Sequence, residues 1–185
     1  MPKRYSPKKL ELFTVGHSTR PIEEFIELLK AHGIERVIDV RTIPRSRHNP
    51  QFNSESLAES LRAAGIAYTP IKKLGGLRRP RPGSINLGWR NSGFRGFADY
   101  MQTPEFEAAL ERAIKLAKTK TCALMCAEAV PWRCHRSLIS DALVVRKFPV
   151  KHIVSGTRAQ PHKITPFALV RASRITYPDE KIRRA

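Results

Sequence analysis

Acidic residues are scarce in this chain. Its 185 residues include 16 Asp or Glu against 34 Lys or Arg, a formal net charge of +18. That imbalance points to anionic partners, either a phosphorylated or otherwise anionic ligand or nucleic acid. Long apolar runs are lacking as well: none approaches the ~20 residues that span a bilayer, so no membrane partner is expected. The basic stretch Met1–Lys9 is followed by no apolar signal core, and the expected location is the cytoplasm. Cysteine is limited to Cys122, Cys126 and Cys134. An odd number confined to one short segment reads as free thiols rather than a disulfide framework. Repeats and low-complexity segments are absent. So are a Walker loop, a dinucleotide fingerprint and a glycine-serine-glycine elbow, which leaves the cofactor open.

What is present is alternation. Apolar runs at 12–15, 36–40, 66–68, 121–126 and 150–154 read as strands. Between them, 21–32, 54–64, 103–118 and about 132–147 carry helical stripes, with Pro21 and Pro104 at first-turn positions and Gly33 and Gly65 just past the ends. This order implies right-handed crossovers and an α/β fold: a Rossmann-like, mostly parallel sheet of about five strands with helices on both faces. Residues 1–155 read as one domain and 156–185 as a basic C-terminal extension that packs on it or trails from it, with an optional strand at 167–170. Residues 72–96 break the pattern. They hold Lys72, Lys73, Arg78, Arg79, Arg81, Arg90 and Arg95, no acidic residue, and many Gly. The expectation there is a long basic loop, with Trp89 and Phe94 available to stack on bases and Phe97 in the core.

Ligands of open parallel sheets bind beyond the carboxyl ends of the strands. Polar residues collect there three times. His17, Ser18 and Arg20 follow the first strand. Asp39 and Arg41 close the second. Cys126 and Glu128 follow the fourth, and Arg133, Cys134, His135 and Arg136 fall in or near the first turn of the next helix, whose free amides and dipole favour anions. The same field favours a thiolate, expected at Cys126. Cys126, Glu128, His17 and Asp39 are the candidate catalytic groups. Ser18, Arg20, Arg41, Arg133, Cys134, His135 and Arg136 are the candidate substrate-binding groups. A phosphatase-type loop does not fit, because Arg133 is one residue too far from Cys126 and the loop contains Pro131 and no glycine. A zinc site from Cys126, Cys134, His135 and His17 lacks the usual Cys-x-x-Cys pair, so no metal is assigned.

Taken together, Thr14-Val-Gly-His-Ser-Thr-Arg20, Asp39-Val-Arg41 followed by Pro44 and Ser46, Leu74-Gly-Gly76, Tyr100-Met-Gln-Thr-Pro-Glu105 and Leu124-Met-Cys-Ala-Glu128 … Cys134-His-Arg136 resemble the family called domain of unknown function 488. The resemblance runs from about 12 to 155 and implies a Rossmann-like fold but no reaction. Its motif positions fall on His17, Ser18, Arg20, Asp39, Arg41, Cys126, Glu128, Cys134, His135 and Arg136. Three functions stay open: an enzyme acting on a nucleotide, nucleic-acid or other anionic substrate; a non-catalytic nucleic-acid-binding module; and a metal-binding regulatory protein. The clustered Cys, Glu and His rank the enzyme first. The oligomeric state is open.

Overall fold

A computed structural model gives the architecture of the protein, and residues 11–181 are described. The basic N-terminal stretch lies outside them. Strands β1 (Leu12–Gly16), β2 (Arg36–Asp39), β3 (Ala67–Pro70), β4 (Cys122–Cys126) and β5 (Val150–Ser155) run parallel. An antiparallel β6 (Arg158–Pro161) completes a six-stranded sheet in the order β3-β2-β4-β1-β5-β6. The fold is therefore α/β with a mostly parallel sheet, as the alternation implies. Among the described residues no helix is long and apolar enough to cross a membrane.

Because side chains alternate across a strand, each strand feeds two cores. Phe13, Val15, Val37, Ala123 and Met125 pack on α1 (Ile22–Ala31) and α2 (Ser54–Ala63). Leu12, Ile38, Val40, Cys122 and Leu124 pack on α3 (Ser92–Tyr100), α4 (Pro104–Thr119) and α5 (Arg136–Val145). Thr103 caps α4 through its hydroxyl, which accepts from the Phe106 amide, with Pro104 in the first turn. In the register, Gly16 sits beside Cys126 and Asp39 beside Met125. The carboxyl ends of β1, β4 and β2 are therefore immediate neighbours.

Three expectations change. The 72–96 segment is not structureless throughout, because α3 begins at Ser92, capped by Asn91. The loop before it is tied down by Asp99, which accepts from the Arg81 amide, the Ser84 hydroxyl and the Asn86 side chain. Trp89 stacks on Phe94 and meets Phe167 and Tyr177 edge-on or tilted, so these rings are engaged with one another. The helix expected from Trp132 begins at Arg136: Pro131–Arg133 forms a 3₁₀ turn, and Cys134 is extended between the two. In the tail, β6 adds to the sheet, β7 (Leu169–Arg171) pairs with β8 (Arg174–Thr176), and Tyr177 is fully buried.

Candidate functional site

A cleft of about 740 Å³ opens at the carboxyl edge of the sheet, lined by His17, Ser18, Arg41, Cys126, Glu128, Arg133, Cys134 and His135 together with Arg45, Thr42, Leu77 and others. Eight of the eleven residues expected at a site therefore border one cavity. Asp39, Arg20 and Arg136 do not. Arg20 turns back, donating to the Gly16 and His17 carbonyls, and pairs with Glu24. Asp39 and Arg136 are buried behind the wall.

Alternation then divides the group. On β1 the Phe13–Val15–His17 side faces α1 and α2, and His17 stacks on Phe52 with ring centroids 4.1 Å apart. Asp39 and Arg41 leave β2 on the same face. Arg41 grips Asp39 through Nε and Nη2 at 2.9 and 2.6 Å and donates Nη1 to His17 Nε2 at 3.2 Å. Tyr68 donates its hydroxyl to Asp39 at 2.7 Å. The second ring nitrogen of His17 lies 2.8 Å from the Ser18 carbonyl. With Arg41 donating to Nε2, the network assigns the proton to Nδ1. Burial, opposed by the Ser18 hydrogen bond, lowers the His17 pKa to about 4. His17 is thus neutral near pH 7, has both nitrogens taken, and positions Arg41. Asp39, expected as a catalytic group, is spent on Arg41 and Tyr68. Ser18 carries a positive φ of 53°, which turns its carbonyl back onto His17.

On the opposite face, β4 aims Cys122, Leu124 and then Cys126 toward α5. Cys126 Sγ, Cys134 Sγ and a ring nitrogen of His135 lie within 4.8 Å of one another. Arg136 Nε donates to Cys134 Sγ at 3.4 Å, and His135 Nδ1 lies 3.6 Å from the same sulfur. The acidic thiol is therefore Cys134, not Cys126. The hydrogen bond from Cys126, then His135 and Arg136, hold Cys134 well below the usual thiol value despite burial. The same hydrogen bond, then burial, push Cys126 up. Cys122, enclosed in the core, is raised by burial to about 11. Two glycines make the arrangement possible. A side chain at Gly16 would strike the Glu128 backbone, and one at Gly76 would strike the His135 ring.

Arg136 is 1% exposed and joins the sulfurs to a second buried network. Its Nη2 donates to the Glu128 carbonyl and Nη1 to Thr14 Oγ1. Thr14 meets His152 Nδ1 at 2.7 Å, His152 Nε2 meets His162 Nδ1 at 2.9 Å, and His162 Nε2 meets Asp141 at 2.7 Å. Asp141 also accepts from Thr165 and Tyr177. Sequence reasoning missed Thr14, His152, His162 and Asp141. Their partners are far along the chain, and no local spacing marks them. The anion-binding amides expected at α5 are partly used, since Ser137 and Leu138 donate to the Cys134 and His135 carbonyls.

A family model described as Domain of unknown function DUF488 matches residues 21–143. That range includes Asp39, Arg41, Cys126, Glu128, Cys134, His135 and Arg136 and begins after His17, Ser18 and Arg20. No curated protein and no solved structure matches the chain.

Proposed function

The chain belongs to the DUF488 family, whose description assigns no activity, and from the site itself we propose that the protein is an enzyme acting on a small anionic substrate, with the Cys126–Cys134–His135 centre as its reacting group. One observation carries this reading: two sulfurs and an imidazole nitrogen converge within 4.8 Å at the wall of an open cleft. The cavity has the size of a small-molecule site. Arg45 and Arg133 are exposed at its lining and make no ion pair among the described residues, so they are available to hold an anion. Glu128 lines the same space and is the carboxylate placed to move a proton. His17, Asp39 and Arg136 are positioning residues: the first two fix Arg41, and the third fixes Cys134.

The test is turnover. Purified, reduced protein is incubated with a mixture of anionic metabolites, including nucleotides, and the mixture is followed by mass spectrometry. At least one anionic compound is consumed by the wild-type protein and not by Cys134→Ala or Cys126→Ala. Arg133→Ala raises KM more than it lowers kcat, as loss of a ground-state contact does. A mixture left unchanged by the wild-type protein overturns the reading. The rival reading, a nucleic-acid binder without chemistry, has less support: Trp89 and Phe94, the rings that would stack on bases, are partly buried against the core and stack on one another.

A further inference from the structure

We propose that Cys126 Sγ, Cys134 Sγ and His135 Nδ1 form a three-ligand site for one zinc-type divalent ion, with the remaining coordination position facing the cleft. Ion binding does not depend on the enzymatic reading, because it has its own readout.

The donor set is the first argument. Two thiolates and one imidazole are the soft and borderline ligands that suit Zn²⁺, and three protein ligands with an open position mark its catalytic rather than its structural sites. Spacing is the second. Zinc bonds of ~2.3 Å to sulfur and ~2.0 Å to nitrogen in a tetrahedron require ligand atoms ~3.5–3.8 Å apart. The Cys134 Sγ to His135 Nδ1 separation is 3.6 Å, and all three atoms fall within 4.8 Å of one another. Only a small contraction closes the set.

The third argument is the surroundings of the ligands. A metal-bound histidine usually donates its other ring N–H to a carbonyl or carboxylate, which fixes its tautomer. His135 Nε2 lies 3.1 Å from the Val40 carbonyl, so it keeps its proton, and Nδ1, which faces Cys134, is the nitrogen whose lone pair an ion would take in place of the contact with the sulfur. The ring is held in place by Phe97, 5.1 Å away between centroids, and by the bare backbone of Gly76 on its Nδ1 side. Cys134 accepts from Arg136 Nε, and Arg136 is itself anchored at Thr14 and Glu128. Cys126 ends a central strand whose carbonyl accepts from the His17 amide. Each ligand is thus set by rigid backbone. His17, the fourth candidate in the sequence, is excluded by its partners Ser18 and Arg41. Charge also balances: two thiolates neutralise a divalent ion, their protons leave to the buffer, and Arg136 keeps the centre attractive to an anion. An ion held this way lowers the pKa of a bound water to ~7, and Glu128 lines the same cleft.

The test uses the full chain, reduced, stripped by a chelator and titrated with Zn²⁺ or with Co²⁺ as its spectroscopic substitute. The expected result is one equivalent bound, with intense tetrahedral bands in the visible and sulfur-to-cobalt charge transfer in the near ultraviolet. Cys126→Ser and Cys134→Ser each halve the charge-transfer intensity. They weaken Zn²⁺ binding by more than the ~10–100-fold typical of losing an outer partner. Cys122→Ser changes neither. Should a variant not fold, the wild-type protein decides: Zn²⁺ slows alkylation of Cys126 and Cys134 about tenfold or more, since a ligated thiolate is a poor nucleophile. A folded protein without charge-transfer bands, bands of undiminished intensity in both cysteine variants, or alkylation rates indifferent to Zn²⁺ overturn the proposal. A cobalt spectrum without turnover of any anion removes the enzyme reading and keeps the metal site. Turnover by a protein that takes up neither Zn²⁺ nor Co²⁺ in the titration does the reverse.

Discussion

Two kinds of polar cluster meet at Arg136, and they differ in what they leave unfinished. The His17–Arg41–Asp39–Tyr68 group and the Thr14–His152–His162–Asp141 group are closed. In both, donors and acceptors match in sequence, and the chain ends on a carboxylate that accepts several bonds. The Cys126–Cys134–His135 group is open: three electron-rich atoms converge and all three residues border the cleft. Closed buried networks rigidify a fold, because each member would be costly to leave unpaired. An open one is held in place by the others and contributes little stability of its own. Substitutions in the closed groups are therefore expected to act on stability, and substitutions in the open one on chemistry.

The sharpest way to break that contrast is Asp39→Ala. It leaves the Arg41 guanidinium buried without its counter-charge, a change that costs roughly 3–5 kcal/mol. For a chain of this size that is a fall in Tm on the order of 10 °C, measured by thermal unfolding. A loss below about 1 kcal/mol would show that the closed group is not structural.

Acid comes next. Burial, reinforced by His162 and Arg136, lowers the His152 pKa to about 4, against the ordinary 6.5. Facing it are His162 just past β6, Thr14 from β1, Arg136 and Asp141 from α5, and the Cys134 sulfur. The unfolded chain takes up the proton first, so this contribution is fully present above pH 6.5 and is lost as pH falls toward 4. The loss is roughly 3 kcal/mol. Urea unfolding across that range shows the decline, to which His17, lowered to about 4 as well, adds a like share, and His152→Gln removes about half of it. An unchanged slope in the variant would refute the assignment.

Much of this was legible in the sequence. Strand–helix alternation gave the sheet, and the rule that ligands sit beyond strand ends located the cleft. The division of the candidate residues between two faces was not legible. It depends on the register that sets Gly16 beside Cys126, and register is a property of paired strands. The acidic thiol was misplaced for a related reason. A helix starting at Trp132 would have spread its field over the whole Cys126–Cys134 turn. With α5 starting at Arg136, the arginine's Nε reaches Cys134 instead. His152 and His162 gave no local signal, because Thr14 lies 138 residues from His152 and Asp141 lies 21 from His162. The loop before α3 is ordered by Asp99, whose partners follow no period.

Gly76→Ala probes the boundary between the two kinds of cluster. The added methyl meets the His135 ring, which Phe97 and the Val40 carbonyl hold from other sides. Overpacking of this sort costs typically 1–3 kcal/mol, and the displaced ring no longer faces Cys134. The expected result is a modest fall in urea midpoint together with a large loss of whatever the centre does. Full retention of both would mean that His135 is free to move and that the centre is not preorganised.

The smallest expected effect on stability is that of Cys126→Ser, and it tests the open group directly. Cys126 is only partly buried, at the last position of β4, and its backbone bond to the His17 amide does not depend on the side chain. Serine is close in shape. Its hydroxyl can still donate to the Cys134 sulfur and can also turn into the cleft toward water. Nothing closed is broken: the Arg41–Asp39 pair lies on the opposite face of the sheet, and the Arg136 bonds go to Cys134, Thr14 and Glu128. The change is therefore expected to cost less than about 1 kcal/mol, within the range of a surface substitution, with the denaturant slope unchanged. Activity and ion binding at the centre are expected to fall far more than stability does. A loss of several kcal/mol would place Cys126 among the structural cysteines alongside Cys122, and the distinction between closed and open clusters would no longer hold at the residue on which it most depends.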